Sequence, residues 1–76
     1  MNLDQANRIY LIGIKGVGMA ALAQLLKHAG KTVWGSDTAE PFLTDEVLRR
    51  EGIECTTGWS AQHLDRPVDL VIRSTA

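Results

Sequence analysis

Apolar and polar residues alternate between two periods along this chain. Positions 8–12, Arg-Ile-Tyr-Leu-Ile, form a nearly continuous apolar run, the pattern of a strand buried on both faces of a parallel sheet. Positions 17–29 then follow a helical spacing, which puts Leu22, Leu25, Leu26 and Ala29 on one face and Gln24, Lys27 and His28 on the other. Gly30 stands where a helix closes, after Lys27 and His28 in a last turn that favours cations. A short strand over 32–34 is closed by Gly35, Ser36 and Asp37. A second helix is expected over 43–51. Leu43, Val47 and Leu48 form its apolar stripe, Asp45 and Glu46 lie near its start, and Gly52 ends it. A third strand over 53–57, a single turn over 60–64 capped by Ser60, and a fourth strand over 68–73 complete the pattern.

The order β-α-β-α-β-(turn)-β implies right-handed crossovers between parallel neighbours. The expected fold class is therefore α/β: a Rossmann-like parallel sheet of about four strands with flanking helices, in three α/β/α layers. No repeat, low-complexity segment or internal linker interrupts it. A doubly wound sheet normally continues past a fourth strand, so the reading expects one domain, 1–76, at the N-terminus of a longer protein.

Composition narrows the function classes. With 76 residues the chain buries roughly 60–65% of its unfolded surface, so its core is thin. A hydrophobic content of 45% fits a globular domain and argues against disorder. The net charge of −1, with acids and bases mixed, favours neither nucleic acid nor an anionic membrane as partner. No apolar stretch has the length of a membrane span, and the first residues lack the order of a signal peptide. A cytoplasmic domain is expected. The single cysteine, Cys55, forms no internal disulfide and reads as a small buried hydrophobe.

The feature that points to chemistry is the corner between the first strand and the first helix. Gly13, Gly16 and Gly18 are spaced G-x-x-G-x-G, immediately before the helical run. Such a corner presents backbone N–H groups at a helix N-terminus, where the dipole favours an anion, at the carboxyl edge of a parallel sheet. A phosphate or diphosphate is the expected ligand, although glycines alone also serve turns and close packing. Lys15, inside the loop, is either a point charge for a phosphate or a solvated loop residue.

Ser36 and Asp37 end the second strand on the same edge, and Asp37 stands where an acid commonly accepts from a ribose hydroxyl. Its other role would be to cap the following turn. Ser74 and Thr75 follow the fourth strand, also on that edge. His28 and His63 lack the spacing of a metal pair and read as surface residues, and Trp34 and Trp59 read as packing residues. No nucleophile with a base and no G-x-x-x-x-G-K-[ST] element is present, so no catalytic residue and no metal site is expected.

These residues together resemble a known family. The run from Ile12 through Gly13, Ile14, Lys15, Gly16, Val17, Gly18 and Met19 to Ala20-Ala21-Leu22-Ala23 is similar to the first loop of the Mur ligases. Val33-Trp34-Gly35-Ser36-Asp37 matches the G-S-D end of their second strand. Two later stretches also fit: Leu48 to Ile53, and Asp69-Leu70-Val71-Ile72-Arg73-Ser74-Thr75-Ala76. The likeness covers nearly the whole chain from Arg8 onward and is strongest to the alanine-adding branch.

The resemblance implies an ATP-dependent ligase of cytoplasmic peptidoglycan synthesis, which joins L-alanine to UDP-N-acetylmuramic acid through an acyl-phosphate. Its N-terminal domain holds the UDP part of the substrate. ATP and magnesium belong to a central domain and the amino acid to a C-terminal one, both absent from this chain, so no cofactor is expected here. By matching position Gly13, Lys15, Gly16, Val17, Gly18 and Met19 would surround the diphosphate. Ser36 and Asp37 would approach the uridine, and Ser74, Thr75 and Ala76 would form the adjoining wall. A branch that recycles a cell-wall tripeptide shares much of the pattern, but it often replaces the third glycine, so Gly18 favours the alanine-adding branch. The rival from another class is an NAD-binding regulatory or dehydrogenase domain, whose glycines usually run in the opposite order, G-x-G-x-x-G. A purely structural assembly domain is the third reading.

Overall fold

Strands that each lead into a helix pair side by side in one direction, and here they do so throughout. The structure, a computed structural model, describes residues 4–58 and 66–73. They form β1 (Arg8–Ile12), α1 (Val17–His28), β2 (Thr32–Asp37), α2 (Thr44–Arg50), β3 (Glu54–Thr57) and β4 (Leu70–Arg73). The four strands make one sheet in the order β3-β2-β1-β4, and every neighbouring pair is parallel. This is the expected Rossmann-like α/β fold, an all-parallel sheet with flanking helices. The chain steps from β1 to β2 to β3 in one direction, whereas β4 lies on the other side of β1. The switch point, where ligands enter sheets of this kind, is therefore at the carboxyl ends of β1 and β4.

Both described helices cover one face of the sheet. Ala20, Ala23 and Leu26 of α1 and Leu48 of α2 meet Ile9, Leu11, Val33 and Ile53 in one core, with Met19, Leu22, Cys55, Leu70 and Ile72 packed around it. The opposite face has its own buried row. Tyr10 and Trp34 sit side by side in register, 3% and 1% exposed, their rings in an edge contact at 5.7 Å. The Arg66 guanidinium covers the Trp34 ring at 4.8 Å, a cation–π contact.

Each helix closes in the same way. Gly30 N–H donates to the Lys27 carbonyl and Lys31 N–H to that of Leu26; Gly52 N–H and Ile53 N–H repeat this on Arg49 and Leu48. These are Schellman closures, with glycine at the left-handed position and the buried pair Ile53 and Leu48 as the accompanying apolar contact. The two helix ends are tied together at Glu51. Its carboxylate accepts from Gln24 and pairs with His28 at 3.1 Å, and its carbonyl accepts from Lys27.

Several expectations need correction. The core-facing side of α1 is Ala20, Ala23 and Leu26 with Leu22 packed against it, so the expected face holds for Leu22 and Leu26 but not for Leu25, which is 70% exposed, or Ala29, which is exposed. The alanines win because a helix lies closer to a sheet over small side chains. Leu43 is not in the α2 stripe either; it precedes the helix and is 96% exposed. Strand β2 runs on through Gly35, Ser36 and Asp37, which pair with β3 and do not close it. The expected starts of β3 and β4 move inward, to Glu54 and Leu70. Cys55 is half-buried against the core, and burial raises its thiol pKa. The expected turn over 60–64, with Trp59 and His63, lies outside the described residues. Among the described residues no helix is long and apolar enough to cross a membrane.

Candidate anion-binding corner

The corner after β1 divides its backbone N–H groups into two sets. Gly13 takes φ +82°, a turn that side-chain-bearing residues rarely make, and points its N–H at the Ser36 carbonyl, 2.9 Å away. Ile14 N–H shares that carbonyl at 3.2 Å, while the Ile14 side chain is wholly buried beneath the loop. Lys15 N–H donates to Asp37 Oδ2 at 2.9 Å, and Gly16 N–H donates back to the Gly13 carbonyl at 3.1 Å. These N–H groups therefore shape the loop.

The next set is open. Gly16 caps α1 without a side chain, its carbonyl accepting from Ala20 N–H at 2.7 Å, and the first turn holds no acid. Among the described residues nothing accepts from the N–H groups of Val17, Gly18 and Met19. Beyond the backbone of its own helix turn, a Cβ added to Gly18 would meet nothing within 4 Å among the described residues, and Val17 is 82% exposed. Unpaired donors, the helix dipole and open space thus coincide at the first turn of a 12-residue helix.

Asp37 anchors this corner from β2. It is 8% exposed, and its carboxylate accepts from Lys15 N–H through Oδ2 and from Thr38 N–H, at 2.7 Å, through Oδ1. Its carbonyl accepts from Gly58 N–H at 2.9 Å, which joins the ends of β2 and β3. Ser36 is buried beside it. The expected wall residues Ser74, Thr75 and Ala76 lie outside the described residues. Arg73, the last residue of β4, pairs with Ile12 at the switch point.

The Lys15 side chain is not a solvated loop residue but is engaged by the β2–α2 loop. Only 11% exposed, its ammonium donates to the Glu40 carbonyl at 2.8 Å, lies 3.1 Å from Asp45 Oδ1 and sits 5.6 Å from the centre of the Phe42 ring. With Asp45 it forms an ion pair between the carboxyl edge of β1 and the start of α2. The Lys15 carbonyl accepts from Thr44 Oγ1 at 2.5 Å. Asp45 Oδ2 in turn accepts from Phe42 N–H at 3.1 Å; this bond above all, with Lys15 adding to it, holds the Asp45 carboxyl below its usual range. Thr44, Asp45, Glu40 and Phe42 were invisible as neighbours of the corner, because the path of the β2–α2 loop decides their approach.

A cavity of about 450 Å³ opens between α2 and β3 behind the Lys15–Asp45 pair, lined also by Leu48, Arg49, Cys55 and Thr57. Lys15 is the corner residue that lines it; the first turn of α1, Ser36 and Asp37 do not. Among the described residues no group of three His, Cys, Asp or Glu could hold a metal ion.

Comparison with known proteins extends this picture. Residues 8–76 match the model of the Mur ligase family, catalytic domain. A UDP-N-acetylmuramate–L-alanine ligase of Treponema pallidum is 49% identical over 69 residues, which cover 91% of this chain and 14% of that protein. Proteins of the same name from Desulfitobacterium hafniense and Borreliella burgdorferi are 44% and 37% identical, over 90% and 100% of this chain. The chain spans only about 14–17% of the length of these relatives. A family match that begins at β1 and runs to the final residue, together with identities of this size, makes the chain a member of the Mur ligase family.

Proposed function

We propose that this chain is the sugar-nucleotide-binding N-terminal domain of an ATP-dependent ligase that adds L-alanine to UDP-N-acetylmuramic acid in cytoplasmic peptidoglycan synthesis. The reading rests on the names of its relatives and on one observation, the unpaired N–H groups of Val17, Gly18 and Met19 at the switch-point edge. The diphosphate would lie against those amides. Gly13, Gly16 and Lys15 would shape the loop beneath it. Ser36 and Asp37 would lie toward the uridine, and Ser74, Thr75 and Ala76 toward the sugar side.

Charge-assisted hydrogen bonds from amides contribute about 1.5–3 kcal/mol each, and the helix dipole adds ~0.3–1 kcal/mol, before association costs. One wall of a cleft binds weakly on these terms, with a dissociation constant near or above ~100 μM. ATP, magnesium and the amino acid would be held by other parts of the parent ligase, where the carboxylate is activated and attacked.

The test is an amide proton–nitrogen NMR titration of the 76-residue chain. UDP-N-acetylmuramic acid should shift the Val17, Gly18 and Met19 resonances, and NAD should leave them in place. Shifts with NAD alone would overturn the reading in favour of a dinucleotide module. Sub-micromolar binding of the sugar nucleotide would overturn the half-cleft argument.

A further inference from the structure

The β2–α2 loop, residues 38–43, leaves the same sheet edge as the anion corner and holds two apolar side chains out to solvent. Phe42 is 45% exposed and Leu43 96%. An exposed leucine beside a phenylalanine, in the loop that leaves the carboxyl end of the strand next to β1, is the kind of surface on which a base rests. Both residues precede α2 directly, so the placement of that loop fixes where they stand.

The loop has few anchors of its own and borrows them from Lys15. The ammonium reaches the Glu40 carbonyl and the Asp45 carboxylate, and its charge lies over the Phe42 ring. Thr44 Oγ1 closes the same contact by donating to the Lys15 carbonyl, and Asp45 Oδ2 accepts from Phe42 N–H. The Lys15 backbone is held at the other end by Asp37. One residue of the glycine loop thus fastens the whole segment between β2 and α2.

We propose that Lys15, Thr44 and Asp45 form a clasp that positions Phe42 and Leu43 as the nucleobase wall of the corner, which makes Lys15 a positioning residue and not a ligand of the diphosphate. The proposal rests on the sugar-nucleotide reading above. It assigns the phosphates to the α1 amides alone and gives discrimination of the nucleoside to a loop that touches no phosphate. An ammonium already shared by a carbonyl and a carboxylate has little to gain by leaving them for a third acceptor in water.

The experiment compares UDP with inorganic pyrophosphate on the 76-residue chain, by NMR titration of the Val17, Gly18 and Met19 amides. Lys15→Met and Asp45→Asn should each weaken UDP binding about five-fold, the scale of one lost charge pair. The double variant should be no weaker than Lys15→Met, because the Asp45 contact is already lost there. Lys15→Arg, which keeps the pair, should restore most of the affinity. Leu43→Ser, at an exposed N-cap position of α2 where serine is favoured, should lower UDP affinity in the same way without weakening the fold. Pyrophosphate binding should be unchanged in all four single variants.

Equal loss of pyrophosphate and UDP binding in Lys15→Met would make Lys15 a phosphate ligand and overturn the clasp. Unchanged UDP affinity in Asp45→Asn and Leu43→Ser would overturn it as well. If the unsubstituted chain binds pyrophosphate but shows no preference for UDP, the nucleotide reading itself fails, an outcome distinct from either of these.

Discussion

Lys15 N–H and Asp37 Oδ2 meet at 2.9 Å across the carboxyl ends of β1 and β2. The bond joins a glycine-loop amide to the acid at the end of the next strand, and it places that acid in the architecture of the loop. With Thr38 N–H on its other oxygen, the carboxylate spans two backbone donors that have no other acceptor among the described residues. A site built in this way keeps its open amides facing outward because its other donors are already satisfied.

Asp37→Ala should therefore destabilise the chain as well as weaken nucleotide binding. Leaving two part-buried N–H groups unpaired costs about 1–3 kcal/mol. Asp37→Asn keeps one accepting oxygen but turns an amide toward the other N–H, so it should recover only part of that loss. Urea unfolding of the three chains measures the difference. An alanine variant as stable as the parent would remove Asp37 from the framework and leave it a ligand contact alone.

Gly18→Ala separates binding from stability. Beyond the backbone of its own helix turn the added methyl meets nothing within 4 Å among the described residues, and the position is helical. Replacing a helical glycine gains up to ~1 kcal/mol. The same methyl occupies the space before the open amides, so affinity for UDP-N-acetylmuramic acid should fall at least ~10-fold. Thermal unfolding and an NMR titration should move in opposite directions. A more stable variant with unaltered affinity would take Gly18 out of the site.

The order and type of elements could be read from the sequence because each is written in local periodicity: a solid apolar run for β1, helical spacing for α1 and α2, glycine after each helix. What could not be read depends on distance between elements. Ala20 and Ala23, not Leu25, face the core because α1 lies close to the sheet. Gly35 looks like a turn residue but sits inside β2, where any side chain would strike Ile14. The glycine corner was legible as a strand-to-helix turn that presents backbone amides, yet not its division into amides spent on the loop and amides left open, because that division is made by Ser36 and Asp37. For the same reason Lys15 could be read as a phosphate's partner or as a solvated residue, but not as the neighbour of Asp45.

Gly35→Ala tests that close approach. A Cβ there would overlap the Leu11 carbonyl oxygen and come within 2.9 Å of the Ile14 side chain. The backbone cannot yield without parting β1 from β2, so the cost should be at least about 3 kcal/mol, at the upper end of overpacking. For a small domain that is a large share of its stability. Circular dichroism should report a melting point lowered by ten degrees or more, or an unfolded chain. A melting point within about two degrees of the parent would mean that β1 and β2 are not packed as tightly as described.

Acid should loosen the chain through three carboxylates. Asp69 is held below its ordinary 3.8 first by the N–H of Arg8 and then by that of Asn7, Glu51 below 4.5 chiefly by its bond to His28, and Asp45 below 3.8 chiefly by Phe42 N–H. A carboxyl with a lower pKa folded than unfolded contributes stability that is complete above the unfolded value and is lost as pH falls through the folded one. Urea midpoints should thus be level near neutrality and fall below about pH 5, with the loss continuing past pH 4. Asp69 closes the start of β1, since its Oδ2 accepts from Asn7 N–H at 3.0 Å and Arg8 N–H at 2.8 Å. Asp69→Asn should start from a lower midpoint at neutral pH and lose less of it on acidification, because the titrating group has been removed. If its acid limb has the same depth as the parent's, Asp69 is not among the groups that set it, and the bonds it makes to β1 carry no share of the pH dependence.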